Sequence, residues 1–103
     1  MMKYYNLLIL PEAQEDLREY IRYIREVYHS PNDALKHYEK IMEKMDLLKI
    51  MAESISVDKS RSLMKFGINV RRVNYKKMTI IYTVHGQTIY IRRIIAASMI
   101  TGL

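Results

Sequence analysis

The chain has no cysteine, and its 103 residues hold no long uninterrupted apolar run. The first absence excludes disulfides, thiolate metal sites and catalysis by a cysteine nucleophile. The second argues against a membrane span or a signal-peptide core, because "MMKYYNLLILPEA" has only a short aliphatic stretch before Pro11 and Glu12. A cytoplasmic protein with no membrane role is therefore expected. Acidic residues are missing from the whole C-terminal part. Residues 1–58 carry 8 Lys/Arg against 11 Asp/Glu, whereas residues 59–103 carry 9 Lys/Arg and no acid. That division of the formal +6 charge points to a polyanionic partner for the second half, either nucleic acid or an acidic protein segment. Also missing are a Gly-rich phosphate loop, a nucleophile elbow and paired carboxylates in the basic half, which speaks against small-molecule catalysis. The three histidines lack metal-ligand spacing, so neither a metal nor a cofactor is implied.

What is present reads as one α+β domain over residues 1–103. "KYYNLLIL" stops at Pro11 as a strand would. Ala13, Leu17, Ile21, Ile24 and Tyr28 then recur at three- and four-residue steps, the period of an amphipathic helix. "HSPND" ends that helix and begins another: Ser30 caps, Pro31 takes the first position, and Asp33 sits at the positive N-terminus. Ala34, Tyr38, Ile41, Met45 and Leu48 form the apolar stripe of the second helix, and the short connection makes a helical hairpin. Residues 52–67, rich in Ser and Lys, read as a long mobile connection.

After Gly67 the period is that of strands: "INVRRVNY", "MTIIYTV" and "QTIYIRRI" predict a three-stranded antiparallel sheet. His85-Gly86 is the expected two-residue turn of the last hairpin. That turn would set Val84 opposite Gln87, Tyr82 opposite Ile89, Ile80 opposite Ile91 and Met78 opposite Arg93, on a face covered by the helices. The other face would gather Thr79, Ile81, Thr83, Thr88, Tyr90 and Arg92 as an open surface, joined by Arg71 or Arg72. The candidate binding residues are Arg71, Arg72, Lys76, Lys77, Tyr90 and Arg92. Tyr75 and Tyr90 are the tyrosines placed to stack on bases. His29 and His37 fall in the helical hairpin, away from the basic face, and His85 falls in a turn; none is assigned a catalytic role.

The order β-α-α-β-β-β resembles that of the RelE/ParE superfamily of toxin–antitoxin toxins, which includes plasmid stabilisation proteins. The resemblance spans nearly the whole chain. It is carried by "PEAQEDLREYIRYI", "PNDALKHYEKIMEKMDLL", Arg71 opening the second strand, Tyr82 in "IIYTV" and the closing strand "IYIRRI". It implies one of two actions. RelE-like members cleave mRNA in the ribosomal A site, holding the scissile phosphate with arginines and lysines. ParE-like members lack that set and poison DNA gyrase. Both are silenced by an acidic, partly disordered antitoxin, so a homodimer or a toxin–antitoxin hetero-oligomer is expected.

This chain departs from the RNA-cleaving pattern. Where such relatives carry a histidine and basic residues after the last strand, and an arginine before the third strand's core, it has Ala96, Met99 and Thr79. Cleavage by a neighbouring 2′-hydroxyl needs a base, an acid and cations around the phosphorane. The tail "AASMITGL" offers only the hydroxyls of Ser98 and Thr101. The expectation is a ParE-like toxin that acts by binding DNA gyrase and is not an enzyme, because the tail lacks the groups that RNA cleavage needs. The alternatives are a ribosome-dependent mRNA endonuclease with an atypical site and a degenerate member without toxicity. The apolar tail is expected to fold back beside the last strand or to be covered by the antitoxin or a second copy.

Overall fold

Pro11 divides a strand from a helix, and the fold is built outward from that point. A computed structural model describes residues 4–100. Strand β1 (Asn6–Ile9) alternates so that Leu7 and Ile9 pack on the core and Leu8 turns outward. Helix α1 (Pro11–Val27) starts with proline where no N–H is needed and buries Ala13, Leu17 and Ile24. His29, at φ +51°, breaks the chain out of α1. The Ser30 hydroxyl then accepts the Asp33 N–H at 3.2 Å and caps α2 (Pro31–Met51). Ala34, Ile41, Met45 and Leu48 are buried as their spacing predicts. Tyr28 and Tyr38 are exposed: Tyr28 lies at the C-cap of α1, and Tyr38 lines an open groove between the helices instead of a packed seam. None of the helices among the described residues is long and apolar enough to cross a membrane.

Strands β2 (Arg71–Tyr75), β3 (Met78–His85) and β4 (Thr88–Ala96) form antiparallel pairs, and β1 adds to β4 in parallel, giving the order β1-β4-β3-β2. The last hairpin differs from the expected register. Its turn residues are Gly86-Gln87, with His85 opposite Thr88, because Gly86 at φ +62° supplies the left-handed conformation at the first turn position. Val84 therefore faces Ile89 and Tyr82 faces Ile91. A bulge follows: Ile81 pairs with Arg93 and Ile80 with Ile94, which leaves Arg92 as the extra residue of β4. Strict alternation would aim Arg93 at the helices, in line with Ile89 and Ile91. The bulge advances the alternation by one, so Ile94 fills the core instead.

The helices cover one face of the sheet around Leu17, Ile41, Met45, Leu48, Ile80, Tyr82, Ile89 and Ile91. The fully buried Tyr82 donates its hydroxyl to the Ala52 carbonyl at 2.6 Å, and burial pushes its pKa up to about 12. The second face is not open as expected. Thr79, Ile81 and Thr83 are buried, because the segment read as a mobile connection folds into 3-10 turns at Ala52–Ser54 and Arg61–Phe66. Leu63 and Val70 seal Ile81, and Phe66, Ile95 and Ile100 close around them. The tail takes the fold-back alternative as far as Ile100: the Ala97 N–H donates to Lys77 O at 2.7 Å and a short 3-10 turn follows. Thr101 and Leu103 lie outside the described residues.

Two stability measurements test this packing. Ile41→Ala should cost about 2–5 kcal/mol in urea unfolding, since it leaves a cavity at a fully buried site; a cost near zero would put Ile41 on the surface. Asp16 ties α1 to β4, its carboxylate accepting from Arg93 Nε at 2.6 Å, Arg93 Nη2 at 2.9 Å and the Ile94 N–H at 2.9 Å. Asp16→Ala should cost roughly 1–3 kcal/mol, and Asp16→Asn, which keeps an acceptor for the Ile94 N–H, should cost less.

Candidate functional site

Arg92, the bulge residue, is turned to the second face and organises what stands there. Its Nε donates to Thr83 Oγ1 at 2.8 Å, and its Nη2 lies 3.5 Å from His85 Nε2. The guanidinium carbon sits 5.4 Å from the centre of the Tyr90 ring, and the His85 ring meets Tyr90 edge-on, also at 5.4 Å. Beside them β1 places the exposed Leu8 opposite Tyr90. The result is a Tyr–Arg–His–Leu surface held by β3 and β4. Tyrosine and arginine are side chains enriched in protein-binding hot spots. His85 belongs to this surface, although its sequence position suggested an incidental turn residue. Gly86 as the first turn position was the signal that would have placed it at the end of β3.

The other expected binding residues are dispersed. Arg72 lies on the second face but is paired with Asp58, Nε to Oδ2 at 2.7 Å. Hydrogen bonds from Ser60, followed by the Arg72 guanidinium, hold the Asp58 carboxyl below the usual carboxylate range. Arg71 pairs with Tyr82 in the sheet and so lies on the helix side, its Nε buried without a hydrogen bond among the described residues. Lys76 and Lys77 make the β2–β3 turn, with Lys76 at φ +53° and its ammonium 5.9 Å from the Tyr75 ring centre. Tyr75 is buried on the helix side against His37, so it is not available to stack on bases. The division of charge in the sequence is thus partly cancelled in space: Asp58 neutralises Arg72, and Asp16 neutralises Arg93.

A second concave feature lies on the helix side. Ile9, Leu17, Ile21, Tyr38 and Met42 line an apolar groove whose rim carries Arg18, Arg22 and Arg25 together with Glu15 and Glu19. Arg18 and Arg22 are bound to Glu15 and Glu19 along α1. Gln14 fixes the groove's end by donating to the Ile9 carbonyl at 2.8 Å. Among the described residues no group of three His, Asp or Glu could hold a metal ion.

Acid should loosen the segment that covers the second face. Because the folded-state pKa of Asp58 lies below its unfolded value, the stability it contributes is present above roughly pH 4 and is lost as pH falls through the lowered folded value. Urea midpoints measured from pH 6 down to 3 should decline less steeply in Asp58→Asn than in the parent; parallel curves would show that Asp58 contributes nothing.

Residues 7–101 match the model described as "ParE toxin of type II toxin-antitoxin system, parDE". A solved structure titled "Chromosomal ParDE TA system from P. aeruginosa" contains a chain similar to this one at 24% identity and a TM-score of 0.70, covering 89% of this chain and 95% of that chain. No curated protein matches. The solved structure shares the fold, and the family match, which takes in both helices and all three C-terminal strands, means that the chain belongs to the ParE toxin family of type II toxin–antitoxin systems.

Proposed function

We propose that this ParE-family toxin acts by binding DNA gyrase and is neutralised by an acidic antitoxin. The observation that carries the reading is the dispersal of its cations. RNA cleavage needs several cations and an acid–base pair converging on one phosphate. Here Arg71 lies on the helix side, Arg72 is held by Asp58, and the buried Ile81 stands between the strands bearing Arg72 and Arg92. Only Arg92 remains beside His85. That surface favours contact with a protein through Leu8, Tyr90 and Arg92.

The α1–α2 groove is the place for the antitoxin. The apolar floor suits an amphipathic segment, whose apolar side chains would enter between Ile21, Tyr38 and Met42, and Arg25, the one rim arginine without an ion pair among the described residues, is left for an acidic group. The contact between His85 and Arg92 favours one second reading, a ribosome-dependent mRNA endonuclease with His85 as its base.

Purified protein should inhibit supercoiling by gyrase or trap its cleaved DNA. Tyr90→Ala together with Arg92→Glu should weaken that effect about tenfold or more without unfolding the protein. Cleavage of ribosome-bound mRNA that is lost in His85→Ala would establish the endonuclease instead; neither activity would mark a degenerate toxin. Met42→Glu should weaken antitoxin binding, and added salt should weaken but not abolish it, because screening acts on the rim and not on the apolar floor. Unchanged affinity in Met42→Glu would remove the groove from the interface.

A further inference from the structure

The cleft between α2 and the β2–β3 turn is separate from both surfaces. It has a volume of about 300 Å³ and is lined by Asp33, Lys36, His37, Lys40, Tyr75 and Lys76. We propose that this cleft is an oxyanion site that takes a phosphate group, held by Lys36, Lys40 and Lys76 beside the His37 imidazole.

The histidine gives the site its shape. The Tyr75 hydroxyl lies 2.9 Å from His37 Nδ1 and the Tyr20 hydroxyl 3.3 Å from it. Neither phenol has another hydrogen-bond partner among the described residues, and the two hydroxyls together enclose the Nδ1 edge of the ring, Tyr75 being the nearer. Both tyrosine rings stand nearly perpendicular to the imidazole, at interplanar angles of 85° and 80°, and fix its orientation. Nδ1 is engaged on the tyrosine side, and Nε2 has no hydrogen-bond partner among the described residues.

The charges around it are unbalanced. Lys36 and Lys76 make no ion pair among the described residues, and Lys40 makes only an exposed 3.5 Å contact with Glu43. Asp33 is the one carboxylate lining the cleft, leaving three ammonium groups against it. Lys76 also occupies a left-handed turn position, at φ +53°, where glycine or asparagine is the usual choice. The groups facing His37 are Tyr20 from α1, Asp33, Lys36 and Lys40 from α2, Tyr75 from β2 and Lys76 from the turn. Burial, then the Lys76 ammonium, holds the His37 pKa below the ordinary histidine value, with Asp33 opposing. The ring is therefore neutral at pH 7, and a bound dianion would offset the lysines and raise that pKa. By linkage, such an anion binds more tightly as pH falls through the His37 transition. Three cations around one small cleft suit the charge and the several acceptor oxygens of a phosphate better than a single carboxylate.

The test is an NMR titration of the full chain, following the His37 imidazole and the lysine side chains. Inorganic phosphate, at ionic strength matched with sodium chloride, should give saturable shifts at His37, Lys36 and Lys76, with an affinity on the order of millimolar. Sulfate, which does not titrate in this range, should raise the His37 pKa. Lys36→Gln with Lys76→Gln should weaken phosphate binding roughly tenfold, whereas Lys59→Gln, outside the cleft, should leave it unchanged. A 5′-phosphorylated trinucleotide that displaces phosphate, while its unphosphorylated form does not, would make a nucleic-acid end the source; failure of both to compete would make it free phosphate. An equal response to chloride, an unchanged titration in the double variant, or tighter binding of a polyglutamate peptide at the same residues would overturn the proposal.

Discussion

Two adjacent arginines in an interior strand of the sheet have to be kept out of the core, and much of the fold follows from how this is done. A charged side chain facing the helices would need a partner there or would cost several kcal/mol of desolvation. The bulge at Arg92 turns that residue to the second face and returns Ile94 to the core one position later. Arg93 is met by Asp16 of α1, whose carboxylate also takes the Ile94 N–H beyond the end of the short strand β1. One carboxylate therefore satisfies the strand's unpaired donor, neutralises the arginine and fixes α1 against the sheet. The same bulge creates the Arg92–Tyr90–His85 surface.

Strand β1 links that surface to the groove on the other side. Leu8 turns toward Tyr90, while Ile9, its neighbour in sequence, ends at the groove formed with Leu17, Tyr38 and Met42. The two surfaces lie on opposite sides of a thin edge made by four residues. A segment seated in the groove that is also to reach Arg92 must pass that edge. This geometry suits a long, wrapping neutraliser better than a compact one, and it keeps the surface proposed to engage the target apart from the groove proposed for the antitoxin.

Much of the architecture was legible in the chain because it rests on local rules. Ser30, Pro31 and Asp33 announce the start of α2, and the spacing of Ala34, Ile41, Met45 and Leu48 gives its buried side. The candidate site was less legible. Shifting the turn from His85-Gly86 to Gly86-Gln87 carries His85 from a loop to the end of β3, where it meets Arg92. Nothing local marks Arg72 as neutralised, since Asp58 is distant in sequence, or Tyr75 as the partner of a histidine in α2.

The sequence by itself determined the element order, the helical hairpin, the apolar stripes and the excess of cations after residue 58. These depend on periodicity, capping and composition, which act between near neighbours in the chain. The tertiary structure decided which cations stay available, which side of the sheet each one serves, and that residues 61–66 and 97–100 close over part of the second face. Those outcomes depend on strand register and on carboxylates brought from far along the chain, and a single bulge is enough to exchange the faces of every residue beyond it.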